Sequence, residues 1–225
     1  MRAALAIAAG FVIGTYALKY VAEAAALPED EADQRDGTTS LDYFDPWGAI
    51  ERATESATVA RSTDDTNTRA FLAMIAFAEG TDQRADPYRV CFGYRHTIEN
   101  LADHPAVTRE WLGEKLPDAV CRGAGHQPGC VSTAAGRYQL IRPTWLRCKR
   151  ALALSDFGPA SQDAAAVYLI KQRFALDDVQ RGRVADAVAK VRAEWASLPG
   201  AGYNQPERRI AALTEAYVLA GGNLA

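Results

Sequence analysis

Phe71-Leu72-Ala73-Met74-Ile75-Ala76-Phe77-Ala78-Glu79-Gly80-Thr81-Asp82 runs an apolar helix straight into one carboxylate and then into a helix-stopping glycine. Phe71, Leu72, Ile75 and Ala78 recur at the spacing of one helical face, which predicts that this face is buried. Asp65, Thr66 and Asn67 supply N-cap chemistry in front, and Gly80 stands where a left-handed C-terminal residue belongs. Glu79 then occupies the last turn, at the negative end of the helix dipole. That field and the apolar neighbours both disfavour its ionised form and push its pKa upward. A carboxylic acid kept protonated near neutral pH is what a general acid at a glycosidic bond requires. Taken alone, the segment also fits a glutamate left exposed at a helix end.

The charge is unevenly spread. Residues 1–65 hold 5 basic and 12 acidic residues, net −7, and residues 66–225 hold 20 and 16, net +4, together the chain's −3. A mildly basic second part suits an anionic polymer. No Gly-rich phosphate loop or basic and aromatic stripe points to nucleic acid. With 48% apolar residues the chain can build a real core.

Ala3 to Leu18 is an almost wholly apolar run after the single charge of Arg2. Sixteen helical residues span about 24 Å, short of a ~30 Å hydrocarbon core, and extension to Leu27 takes in Lys19 and Glu23. Three readings stay open for residues 1–27: a cleavable signal peptide, a permanent anchor, or a weakly held signal-anchor that is later released. All three imply export. Residues 28–67 read as an acidic linker, with a short helix from Asp45-Pro46-Trp47 to Ala60 whose stripe would be Ala49, Ile50, Ala53, Ala57 and Ala60. That helix is expected to lie on the main domain or on a membrane surface. Residues 68–225 form the principal domain.

Further segments follow in order: Asp103-His104-Pro105, Ala135-Gly136-Arg137-Tyr138-Gln139-Leu140, Pro159-Ala160-Ser161-Gln162-Asp163-Ala164, and Trp195-Ala196-Ser197-Leu198-Pro199-Gly200-Ala201-Gly202-Tyr203-Asn204-Gln205. Together with Ala78-Glu79-Gly80-Thr81-Asp82, this series resembles the phage lambda endolysin family from about Thr68 to Gly222. The resemblance implies an α+β, mostly α, lysozyme-like fold with a small β wing, here preceded by an N-terminal hydrophobic helix and linker. It implies a lytic transglycosylase that cuts the MurNAc-GlcNAc β-1,4 bond of peptidoglycan, leaves 1,6-anhydro-MurNAc and lyses the host cell.

By the same resemblance Glu79 is the catalytic acid/base. Gln139 and Tyr138, in the Gly136–Gln139 element, and Tyr203 and Asn204 are substrate-binding, with Thr81 and Asp82 beside them. Asp82 reads equally as a cap of the turn after Gly80. The family's lambda member has aspartate where Arg89 stands and glycine where Asn204 stands, so no carboxylate role carries over to position 89 and Asn204 is less firmly placed than Tyr203. A hydrolytic muramidase would need a second carboxylate, for which Asp82 and Asp86 are available. A non-catalytic peptidoglycan-binding protein linked to the membrane is the rival outside enzymes. The expected partners are peptidoglycan glycan strands and, through the N-terminal segment, the inner membrane. The chain is read as a monomer, without cofactor or metal, tethered to the inner membrane or released to the periplasm.

Cys91, Cys121, Cys130 and Cys148 allow three pairings. Cys121 and Cys130 flank a Gly/Pro-rich stretch that can close on itself, which leaves Cys91 with Cys148 by elimination. His126 lies between two cysteines, but the paired Cys-x-x-Cys knuckles of a zinc site are missing. Leu112 to Val131 reads as a stapled loop at the cleft rim, and Tyr88-Arg89-Val90-Cys91-Phe92 as a short strand. Helices are expected over Pro143–Leu152, Pro159–Phe174, Val184–Trp195 and Pro206–Leu219. Trp145 is expected in the core, and His104 in a packed turn.

Overall fold

The helix that ends in the carboxylate forms as its spacing requires. In the computed structural model, which describes residues 46–123, 127–201 and 208–225, the helices are α1 (Pro46–Thr63), α2 (Thr66–Glu79), α3 (Pro105–Thr108), α4 (Asp118–Gly123), α5 (Arg142–Leu152), α6 (Pro159–Gln172), α7 (Leu176–Gln180), α8 (Val184–Val191) and α9 (Ile210–Leu219). Strands β1 (Glu114–Lys115) and β2 (Val131–Ser132) pair antiparallel, with Glu114 opposite Ser132. Asp65 accepts a hydrogen bond from Thr68 N at 2.8 Å to start α2, and Gly80, at φ 70°, ends it. Phe71, Leu72, Ile75 and Ala78 are all buried, and so are Ala70 and Met74. The wider burial follows because α1, α6, α7 and α9 all pack on α2. Each large apolar side chain so enclosed contributes roughly 2 kcal/mol.

Several elements depart from the sequence pattern. Tyr88–Phe92 is no sheet strand: Pro87–Arg89 is a 3₁₀ turn capped by Asp86, and Val90 and Cys91 make only single bridges, to Thr97 and Ala135. Proline presets that turn, and Arg89 Nη1 ties it by donating to the carbonyls of Ile98 and Glu99 at 2.7 and 2.8 Å. The helix after Val184 stops at Val191, and Trp195 lies in the turn beyond. The helix from Pro159 ends at Gln172, because Phe174 adopts φ 56°. The described part of the last helix begins at Ile210.

Helix α1 continues to Thr63, but its alanine stripe is not the face that packs. Val59 is buried, while Ile50 is 56% exposed. Ser56 Oγ donates to Leu152 O at 2.8 Å, and Glu55 pairs with Lys171 of α6. Alanines offer little area to bury, so these polar anchors and one valine decide the face set against α5 and α6. Among the described residues no helix is long and apolar enough to cross a membrane. The apolar run 3–18 lies outside them, as do Tyr203, Asn204 and His126.

Cys121 and Cys130 form a disulfide that closes the β1–α4–β2 wing. Under the wing a second small core gathers Phe92, Leu116, Ala134 and Ile141. Cys91 and Cys148 are not joined: both are thiols in the main core, on separate elements, with Cys148 on α5 directed at Ala165 O. Burial pushes the Cys91 thiol up to about 12, which makes it unreactive.

Asp103-His104-Pro105 is a structural knot. Trp145 is fully buried and donates its indole N–H to Asp103 Oδ1 at 2.6 Å. His104 caps α3: its Nδ1 accepts from Ala106 N at 3.1 Å, which leaves Nε2 as the protonated nitrogen, 3.0 Å from Leu140 O. That bond holds the end of the 135–140 segment. Burial lowers the His104 pKa to about 4.

Peptide mapping without reduction is expected to recover Cys121 linked to Cys130, with Cys91 and Cys148 labelled by a thiol reagent only after unfolding. A Cys91–Cys148 linkage would refute this arrangement. His104 yields a pH prediction. Its folded pKa, about 4, lies below the ordinary value of 6.5. Below pH 6.5 the unfolded chain therefore takes up a proton that the folded chain refuses, so stability falls as the pH drops through that window. The loss is about 3 kcal/mol by pH 4. Thermal melts of His104→Gln are expected to show a flatter dependence over the same range.

Candidate active site

Glu79 is the last residue of α2 and is 1% exposed. Three segments close on it. The first is its own continuation: Gly80 and Thr81 donate their N–H groups to Phe77 O and Ala76 O at 3.1 and 3.0 Å, which completes the left-handed cap. The second is the segment carrying Tyr94, which sits at φ 58° and donates its hydroxyl to Glu79 O at 2.8 Å. A Cβ at Gly80 would lie 3.2 Å from that hydroxyl, so glycine serves both the φ and the approach. The third is the turn after α8, where Ser197 Oγ donates to Glu79 Oε1 at 2.8 Å. Burial first, then the Glu79 carboxylate, push the Tyr94 phenol up to about 12, against the opposing pull of Arg84 and Arg208. Tyr94 therefore remains a neutral donor.

The expected Thr81, Tyr138 and Gln139 are brought to this end of α2. Buried Thr81 donates Oγ1 to Arg137 O at 2.7 Å, joining the helix end to the 136–139 turn. Gln139, at φ 47°, donates Nε2 to Gly136 O at 3.0 Å and Val90 O at 3.4 Å, so its amide braces the turn. Tyr138 is fully buried and donates its hydroxyl to Asp163 Oδ1 at 2.6 Å. Asp82 is half-buried and accepts from Gln83 Nε2 at 2.8 Å. Asp86 accepts from Tyr88 N and pairs with Arg89 at 3.3 Å.

Four side chains that no sequence signal assigned a role hold this frame. Gln162 accepts from Arg137 N at 2.8 Å and donates to Tyr88 O and Phe157 O at 2.9 and 2.7 Å. A Cβ at Gly136 would lie 2.2 Å from Gln162 Oε1, which explains the glycine. Asp163 accepts from Tyr138 and from Tyr88, the latter at 3.0 Å, while Arg137 Nη1 donates to Tyr88 Oη at 2.6 Å. Burial raises the Asp163 pKa, and the two phenols and Arg137 pull it back. Ser197 and Tyr94 complete the set. Ser197 lies 118 positions from Glu79, and a contact that distant leaves no periodic trace in sequence.

Glu79 and Asp178 are the buried carboxylates among the described residues. Asp178 is neutralised by Arg183 and Lys190. Glu79 accepts from the Ser197 hydroxyl. Among the described residues no cluster of His, Cys, Asp and Glu is arranged to hold a metal.

The Endolysin family model matches residues 69–224. The endolysin of Escherichia phage P2 is 38% identical over 156 residues, covering 69% of this chain and 93% of that protein. The endolysin of Escherichia phage lambda is 38% identical over 161 residues, covering 69% and 92%. Bacteriophage lambda lysozyme complexed with a chitohexasaccharide is similar in structure, with a TM-score of 0.59 and 35% identity over 72% of this chain and 97% of that one. The match takes in every described residue that closes on Glu79, and the chain belongs to the Endolysin family, with the fold of lambda lysozyme.

Proposed function

We propose that this endolysin is a lytic transglycosylase of peptidoglycan, with Glu79 as its single acid/base. The observation that carries the reading is the burial of Glu79 at a helix C-terminus, against Ser197. Desolvation and the helix end favour its protonated form, and the Ser197 hydroxyl stabilises the anion formed after proton transfer. Protonated Glu79 donates to the oxygen between N-acetylmuramic acid and N-acetylglucosamine, and charge develops on the sugar as that bond breaks. The carboxylate then takes the proton of the muramic C6 hydroxyl, whose oxygen closes a 1,6-anhydro ring. No water is consumed, and Glu79 ends protonated.

A hydrolase would place a second carboxylate to activate water or trap the sugar. Asp86 is engaged by Arg89 and Tyr88 N, and Asp163 by two phenols. Asp82 is left as the candidate for that second reading. In the proposal Thr81, Tyr138 and Gln139 shape the sugar-binding wall through the 136–139 turn, and Tyr203 and Asn204 contact substrate. The complex of lambda lysozyme with a chitohexasaccharide supports a glycan strand as the ligand. Residues 1–27 bring the chain to the inner membrane and the periplasm. Helix α1, within the span read as linker, packs on α5 and α6.

Glu79→Gln is expected to fold and to lose at least about a hundredfold in cleavage of purified peptidoglycan, the usual scale for a missing general acid. A folded mutant with a tenth of the native rate would sink the assignment. Ser197→Ala removes a donor to the anion, so the Glu79 pKa rises and the alkaline limb of the rate profile moves to higher pH. An unmoved limb would refute the role given to Ser197. Mass analysis of the glycan products separates the chemistries: fragments lighter by one water mark transglycosylation, and reducing ends mark hydrolysis.

A further inference from the structure

Tyr94 stands at φ 58°, a backbone region that an aromatic residue seldom occupies. Phe174 shares that geometry among the described residues, but it follows the end of α6 and is 86% exposed. Tyr94 closes no helix. Its N–H donates to Cys91 O at 3.0 Å across a turn in which Gly93 lies at φ 81°. The wing backs this turn: a Cβ at Gly93 would lie 3.3 Å from Glu114 Cγ of β1, and Arg95 pairs with the Glu114 carboxylate. The Tyr94 hydroxyl donates to Glu79 O at 2.8 Å, and the Arg84 guanidinium carbon lies 4.0 Å from the ring centre. Strained backbone persists where its surroundings determine it, and here they aim one hydroxyl at one carbonyl.

That carbonyl carries part of the negative end of the α2 dipole, on the same residue as the carboxyl group. An O–H donor set on it offsets this charge and eases ionisation of the carboxyl beside it. The other charged groups about the phenol are Asp82 and Arg84, from the segment after α2, and Arg208, ahead of α9. Arg137, of the 136–139 turn, donates to Tyr88 and lies 3.9 Å from Asp163. From the turn after α8, Ser197 donates to the carboxyl itself. We infer that Tyr94 is a positioning residue for the acid: its hydroxyl, set on the Glu79 carbonyl by the strained turn, sets how readily the carboxyl releases its proton. The inference rests on the reading of Glu79 as the acid and deepens it. An acid that holds its proton too tightly donates poorly, so the offset bears on the rate. With its pKa pushed up to about 12, the phenol keeps its own proton and remains a donor.

The test is the pH profile of kcat/KM on soluble peptidoglycan strands, which reports the essential groups of the free enzyme. Tyr94→Phe keeps the ring beside Arg84 and removes only the hydroxyl. Its alkaline limb is expected about half a pH unit above the native one, the scale of a charge effect at a helix end, with KM unchanged. Glycine suits φ 58° better than tyrosine, so Tyr94→Gly would leave the profile alone if the residue served only the turn. Its limb is expected to move upward at least as far as that of Tyr94→Phe. A limb that stays in place or moves down in either folded variant would overturn the inference. So would a loss carried by KM alone, which marks contact with substrate. A folded Glu79→Gln that retains activity would instead overturn the acid reading, and this inference with it. An inactive Glu79→Gln beside an unmoved Tyr94→Phe limb would overturn this inference alone.

Discussion

The structure turns on one carboxyl group kept out of water at the wrong end of a helix for a negative charge. Glu79 is 1% exposed, in the last turn of α2. Neither the dipole nor the apolar packing around Phe71, Ile75 and Ala78 welcomes its ionisation. A glutamate so placed destabilises the fold when it ionises unless donors surround it, and the chain supplies Ser197 from 118 positions further along. Tyr94 meets the same turn through the Glu79 carbonyl. The packing that makes α2 the central helix is thus also what sets the chemistry of its end.

Little regular structure surrounds that end. The sheet is two residues deep, and the segments near Glu79 are turns with residues at positive φ, including Tyr94 and Gln139. Such backbone costs of order 1 kcal/mol or more per residue and persists only where the surroundings determine it. Side chains do so here. Gln162 bridges the 136–139 turn, Tyr88 and Phe157, and Asp163 gathers two phenols beside Arg137. Glu110 likewise accepts from Glu99 N and Asn100 N and lies 3.0 Å from His96 Nε2. In place of a ladder of strand hydrogen bonds, a few side-chain acceptors each pin two or three segments, and each is a point where one substitution would release a turn.

The wing and α1 extend this frame differently. The Cys121–Cys130 bridge closes a segment whose core is only Phe92, Leu116, Ala134 and Ile141 beside Cys121 itself, an area too small to hold shape unaided. Helix α1 lies outside the region matched by the family model and is held by one valine, one serine hydroxyl and the Glu55–Lys171 pair. It packs on the body at α5 and α6, while Glu79 sits at the C-terminal end of α2.

By itself the sequence determined the helix Thr66–Glu79, its Asp65 and Gly80 caps and the carboxylate at its end, because these depend on residues within one or two turns of each other. It also pointed to the Cys121–Cys130 closure among the three pairings it allowed, since three of the eight residues between them are glycine and one is proline. The last three long helices were legible from their apolar period, though Phe174 and Trp195 fell outside them once backbone at positive φ and a tertiary indole hydrogen bond intervened. The packing face of α1, the irregular path of Tyr88–Phe92 and the fate of Cys91 and Cys148 were decided only in three dimensions. So was the partnership of Ser197 and Glu79, and of Gln162 with the turn at Gly136. Local periodicity encodes which face of an element is apolar; which distant hydroxyl or amide meets a buried carboxylate depends on how the elements pack, and no spacing along the chain records it.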